Sequence, residues 1–124
     1  MRVIRISEVQ EEPMATATPT PDWPGGPISR SRQTIIPPNG SKDFNCGVVS
    51  FSRGATTGWH IHDSDQILVI TAGRGIVATE HEQFEMAVGD VVHFQAGENH
   101  WHGATNHSYM SHITITAPDS QSRR

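Results

Sequence analysis

The sequence predicts an all-β fold, and three observations carry that reading. From Ser29 onward, short runs rich in Val, Ile, Thr and Phe are separated by Gly, Pro, Asn and Asp. No window of eleven or more residues keeps a helical apolar period of about 3.6 residues without an intervening Gly or Pro. The runs follow one another closely and regularly, which is the pattern of an antiparallel sandwich or barrel. With 124 residues the chain suits one domain and has no room for a second full core.

Taken in order, Met1 to Ile6 alternates through Val3, Ile4 and Ile6 and reads as a short edge strand. Glu11 to Pro27 holds five of the eight prolines and reads as an irregular arm, where Trp23 gains by finding a surface to cover. Residues 1–28 are thus an edge strand plus a Pro-rich arm, 29–116 a β-barrel, and 117–124 a polar, flexible tail. Expected strands are Arg32 to Ile36, Gly47 to Ser52, Gly58 to His62, Gln66 to Ala72, Gly75 to Glu80, Gln83 to Met86, Val91 to Phe94, His100 to Ala104 and Tyr109 to Thr116.

Composition narrows the function. The chain is 35% hydrophobic and 18% charged, too apolar for wholesale disorder, and it has no apolar run of about 18 residues that would span a bilayer. A net charge of -4 and a pI near 6.0 argue against nucleic acid as partner, with Arg30, Arg32 and Lys42 scattered among polar residues. Cys46 is the only cysteine, so no internal disulfide forms, and its apolar setting in FNCGVVSF reads as a packed thiol. Met1 to Gln10 carries charged residues, the acidic Glu8 among them, where a signal peptide needs an apolar stretch, so the expected location is the cytoplasm.

The chemistry gathers on histidines. His60 and His62 are two apart, and residues i and i+2 of a strand share a face, so both imidazoles project together. Gln66 follows a short turn and is placed to bring a side-chain oxygen back toward them. His100 and His102 repeat the arrangement about forty residues on. His81, His93 and His107 sit at a hairpin, on an outward strand face and in a turn, and read as solvent-facing. In the last strand Met110, His112 and Thr114 share one face and Ser111, Ile113 and Ile115 the other; alternation alone does not say which is inward.

Gly54 to Gly73 reads G-x5-H-x-H-x3-Q-x6-G, and the stretch from Gly89 reads G-x5-Q-x-G-x2-H. These resemble the two cupin motifs, with Gln66 where Glu is usual, Gln95 where Pro is usual and Ala104 where Asn is usual. The runs Thr57-x-Trp59-His60-x-His62, Gln66, Thr71-Ala72-Gly73 and GDVV-x-F-x-x-GE-x-HWHGA are similar to those of small manganese-dependent cupins with hydroxynitrile lyase activity. The resemblance implies a single-domain, jelly-roll-like barrel binding one divalent metal ion, Mn foremost, with Fe, Ni, Co or Zn also fitting. It implies His60, His62, Gln66 and His100 as ligands, His102 as general base, His112 facing the same pocket, Thr57 beside them, and Val49, Gly47 and Thr116 at the wall.

Such a ligand set is neutral and leaves the full 2+ charge on the ion, which favours Lewis-acid chemistry on a hydroxyl or carbonyl oxygen. The expected function is that of a metal-dependent lyase cleaving and forming cyanohydrins. The alternatives are a cupin dioxygenase acting on a small organic substrate, and a barrel that binds metal or a small molecule without turnover. The expected partners are a small-molecule substrate and a second copy of the chain, as homodimer or higher homo-oligomer, with no membrane.

Overall fold

In the computed structural model, which describes residues 1–124, one strand organises the rest. This is β7, Gln66–Thr79, whose first half alternates buried Gln66, Leu68 and Ile70 with more exposed Ile67, Val69 and Thr71. Before it come β1 Glu12–Pro13, β2 Thr18–Pro19, β3 Arg30–Ile36, β4 Asn45–Phe51, β5 Ala55–Thr56 and β6 Ile61–His62. After it come β8 Gln83–Ala87, β9 Val91–Phe94, β10 His100–Ala104, β11 Met110–Thr116 and β12 Ser122–Arg123.

The pairing is antiparallel throughout and runs β1-β3-β4-β11-β7-β10-β5-β2, with β8 and β9 also on β7. The first half of β7 lies between β9 and β11, and its second half lies between β8 and β10. One strand therefore belongs to two faces, and the sheet curls over a core that includes Phe51, Leu68, Ile70, Phe94 and Met110. The bend falls at Gly73, which has φ +70°, next to a register shift between Ser111 and His112. A Cβ on Gly73 would stand 1.9 Å from the Tyr109 carbonyl oxygen, so only glycine fits there.

The all-β expectation holds, and the only helical element is a single 3-10 turn, Ile6–Glu8. No helix is long and apolar enough to cross a membrane. The strands expected at Val91–Phe94 and His100–Ala104 form with those bounds. Four local expectations change. Gln66 to Ala72 and Gly75 to Glu80 are one strand, because Gly73 bends the chain without ending its pairing. Of Gly58 to His62 only Ile61–His62 is strand: Gly58 has φ +70°, and His60 joins His100 in one isolated bridge.

Met1 to Ile6 is not an edge strand. Its apolar side chains remain largely exposed, and the Ile6 and Val9 carbonyls accept from the Gln33 side-chain amide at 2.8 and 3.0 Å instead of from a ladder. The tail is also ordered into the fold. The open edge of β6 gives β12 a partner, Ser122 opposite His62 and Arg123 opposite Ile61, and Asp63 accepts from the Gln121 amide at 2.7 Å. In the arm, Trp23 lies where a Gly54 side chain would be, with the Arg53 guanidinium 5.1 Å from its ring centre.

Candidate metal centre and its pocket

The two histidine pairs meet through their backbones. The His60 amide donates to the His100 carbonyl at 2.9 Å and the His100 amide donates back to the His60 carbonyl at 3.0 Å. With the chains locked at this point, the side chains of His60, His62 and His100 converge, and their candidate ligand nitrogens all lie within 4.8 Å of one another. His60 and His100 are buried, while His62 is half-buried at the mouth of the site.

Backbone carbonyls set the tautomers. His60 Nδ1–H donates to the Gly58 carbonyl at 2.9 Å, and His100 Nδ1–H donates to the Glu98 carbonyl at 2.8 Å. A carbonyl only accepts, so each ring keeps a lone pair on Nε2, the atom available to an ion. The Phe94 ring stacks on His100 with centroids 3.8 Å apart and restricts its rotation. Burial holds the His60 imidazolium pKa down to about 4, and burial also lowers those of His62 and His100. All three are neutral near pH 7, as metal ligands must be.

Gln66 completes the set from the start of β7. Its Nε2 donates to Thr114 Oγ1 at 2.9 Å, which turns Oε1 toward His100 Nε2, 3.2 Å away. Both of these atoms present lone pairs. Two acceptors pressed together in a buried site need a cation between them, and adjacent donors around a divalent ion with bonds of about 2.0–2.2 Å stand roughly 3 Å apart. The residues therefore fit a metal ion.

Beside this group lies a second pair of imidazoles. His102 on β10 and His112 on β11 are buried, with His102 Nδ1 and His112 Nε2 3.1 Å apart and sharing one hydrogen. Burial, reinforced by the neighbouring His112, drives the His102 imidazolium pKa well below its ordinary value, and burial takes that of His112 to about 4. The inward face of β11 is thus the one bearing Met110, His112 and Thr114. Thr57 ties the group together: its hydroxyl donates to the Gly58 carbonyl at 2.8 Å and accepts from the His102 amide at 3.2 Å.

These groups open onto a cavity of about 470 Å³, whose walls include Thr57, His102, His112, Val49 and Thr116. Gly47 is not a wall residue, which corrects one expectation. It lies under the Arg32 side chain, where an added Cβ would stand 2.8 Å from a guanidinium nitrogen. His81, His93 and His107 lie outside the group and are exposed, His93 paired with Asp65 at 2.8 Å. Cys46 is half-buried on β4, and burial raises its thiol pKa.

Among the cavity residues that sequence reasoning missed are four arginines, Arg30, Arg32, Arg123 and Arg124. The Arg30-Ser31-Arg32 spacing places two guanidinium groups on one face of a strand, the same signal that singled out the histidines. Arg123 arrives on β12 and Arg124 follows directly after it, in a segment whose polar composition gives no sign of a pairing partner.

Comparison with known proteins agrees with this geometry. The chain is 46% identical over 68 residues to an (R)-mandelonitrile lyase of Granulicella tundricola, a match over 54% of this chain and 52% of that protein. It thus spans about half the length of this curated relative. A cupin-like protein of Thermotoga maritima superposes with a TM-score of 0.70 at 26% identity, over 80% of this chain and 83% of the other. The polyketide cyclase RemF of Streptomyces resistomycificus shares the fold at 15% identity, with a TM-score of 0.81 over 100% of this chain and 84% of its own. The family model of the cupin domain matches residues 47–116, more than half of the sequence. The chain belongs to the cupin family.

Proposed function

We propose that this cupin is a metal-dependent lyase of the hydroxynitrile lyase type, cleaving a cyanohydrin to a carbonyl compound and hydrogen cyanide and running the reverse addition. The observation that carries the reading is the buried His102–His112 pair set beside a neutral donor group of His60, His62, His100 and Gln66. The likeness to a mandelonitrile lyase over 68 residues supports it.

His60, His62 and His100 through Nε2, and Gln66 through Oε1, would hold one first-row divalent ion, with manganese the first to test. When bound, such an ion supplies Lewis acidity toward a substrate oxygen, undiminished by any carboxylate ligand. The protein's own part is proton transfer. In this reading His102 Nδ1–H is the donor to His112 Nε2, which would leave the lone pair of His102 on Nε2. That nitrogen removes the cyanohydrin hydroxyl proton. The electron pair of the O–H bond becomes the carbonyl π bond, the bond to the nitrile carbon breaks, and cyanide leaves with the electron pair of that broken C–C bond. The proton held at His102 Nε2 then passes to cyanide, so the ring returns neutral. Removal of water's competition by burial and a base that is neutral at pH 7 both favour this step, and general-base transfer is worth roughly 10²- to 10⁴-fold in rate. Thr57 acts as a positioning residue, since its hydroxyl is already engaged with Gly58 and the His102 amide.

The test is metal analysis of the purified protein followed by mandelonitrile cleavage by the wild type and His102→Ala at matched metal content. Stoichiometric metal with cleavage lost in the variant supports the reading. Metal-loaded wild type without cleavage overturns it.

A further inference from the structure

Charge is distributed over this molecule in a way the lyase reading does not use. The chain has nine Lys and Arg against thirteen Asp and Glu. Four of the nine cations line the cavity, and none of the thirteen acids does. The ion pairs within 4.0 Å are Arg74–Glu85 and His93–Asp65, so no cavity arginine has a carboxylate partner. Only Met14 and Val49 among the lining residues are hydrophobic. Pockets for neutral organic ligands are lined mainly by apolar and aromatic side chains. This one is polar and positive.

Two of the arginines are held by backbone carbonyls. Arg30 Nε donates to the Thr16 carbonyl at 2.6 Å, which leaves both terminal nitrogens free, and an Nη1 of Arg124 donates to the Thr57 carbonyl at 2.8 Å. Arg30 is close enough to Arg124 that the two like charges oppose each other. Arg32 faces Val49 across the β3–β4 ladder, and Val49 in turn faces His112 across β4–β11, so Arg32, Val49 and His112 form one row. The Arg32 guanidinium occupies the space that Gly47 leaves open, beside Thr114, the residue that orients Gln66. Like charges gathered without counter-ions in a half-enclosed site cost free energy that a bound anion recovers. Guanidinium forks match the oxygens of carboxylate and phosphate groups.

We propose that the physiological ligand of this pocket is a small organic acid, with its anionic group held by Arg30 and Arg32, Arg124 adding charge, and its hydroxyl or carbonyl carbon turned toward His102. The inference rests on the same pocket being the substrate site, and it replaces a neutral cyanohydrin with a negatively charged hydroxy or keto compound as the ligand for which the walls are built. Gly47 acts through Arg32, as a positioning residue for anion recognition.

Titration calorimetry tests this without turnover, on metal-loaded and on chelator-stripped full-length protein in low-chloride buffer. The probes are malate, the neutral lactamide, and glycerol 3-phosphate. Malate is expected to bind the stripped wild type at least tenfold more tightly than lactamide, and to weaken as salt rises from 20 to 200 mM, since exposed charge pairing is screened at such ionic strengths. Arg32→Gln, and Gly47→Ala by displacing the guanidinium, should each weaken malate about tenfold and leave lactamide unchanged. Melting curves confirm the fold of both, and Arg32→Lys, which keeps the charge, should recover part of the affinity. If glycerol 3-phosphate outbinds malate the acid is a phosphate ester, and if not it is a carboxylate; both orders support an anion site. Equal binding of malate and lactamide by the wild type, or undiminished malate binding in Arg32→Gln, overturns the proposal. Mandelonitrile cleavage measured in parallel separates the two readings: cleavage without anion binding removes this inference alone, and anion binding without cleavage removes the lyase alone.

Discussion

His100 Nε2 and Gln66 Oε1 stand 3.2 Å apart with a lone pair on each, one ring fixed by the Glu98 carbonyl and one amide fixed by Thr114. A bound ion would draw both lone pairs to itself. An ion at a hundredfold its dissociation constant adds about 2.7 kcal/mol of stability, several degrees of Tm for a domain of this size. Thermal melts with and without chelator should show that difference in the wild type and none in His60→Ala. In Gln66→Glu the Thr114 hydroxyl can turn to donate, so the fold should persist, while the added charge tightens metal binding roughly tenfold. Chelator competition reads the affinity, and unchanged affinity in Gln66→Glu would remove Gln66 from the ligand set.

Gly73 carries the bend that makes one strand serve both faces of the sheet. With φ +70° and the Tyr109 carbonyl oxygen 1.9 Å from any added Cβ, Gly73→Ala combines backbone strain with a clash against main chain. Gly89 has φ +95° but nothing within 4 Å of its would-be Cβ. Urea unfolding should separate the two: about 1–2 kcal/mol lost for Gly89→Ala and more than about 3 kcal/mol for Gly73→Ala. Equal losses would mean that φ alone accounts for the glycine.

The same glycine shows where sequence reading stops. The apolar, largely β-branched run Ile67 to Ile70 identified the strand but not its buried face, because four apolar residues in succession carry no period-two signal. Whether a glycine ends a strand or bends it depends on partners distant in sequence, here β10 and β11, which pair across the bend. The histidines were legible for a local reason: spacing of two fixes a common face, and family resemblance told which face of β11 turns inward. Arg30 and Arg32 share that spacing, yet a balance of charge over the whole chain hides a local concentration. The tail was unreadable because its order comes from the free edge of β6 and not from its own composition.

Acid should destabilise the metal-stripped protein in a defined window. His112 is buried as neutral imidazole, with its pKa lowered from the ordinary 6.5 to about 4 by burial. Below about 6.5 the unfolded chain takes up a proton that the folded chain refuses, so stability is full above that pH and is lost as pH falls toward 4. The full effect of this one group is about 3 kcal/mol. Urea midpoints measured from pH 7.5 to 4.5 should fall at least this steeply, since burial lowers the pKa of His60, His62, His100 and His102 as well, and His112→Leu should remove the share of the fall that belongs to His112. A wild-type profile that is flat between pH 7 and 5 would place His112 in contact with water.

His112 also sets what His102 can do. The hydrogen shared across 3.1 Å between His102 Nδ1 and His112 Nε2 decides which nitrogen of His102 keeps a lone pair for substrate. His112→Phe removes the acceptor at similar bulk, leaves the four metal donors in place, and frees the His102 ring to take either tautomer. If the lyase reading holds, kcat should fall roughly 10²-fold, within the range ascribed to a correctly held general base, with metal content and KM unchanged. His112→Gln, which keeps an oxygen acceptor at that position, should recover part of the rate. Loss of metal in His112→Phe would assign the residue to the architecture of the metal group, and an unchanged kcat would show that the His102 tautomer is set by the pocket wall and not by its neighbour.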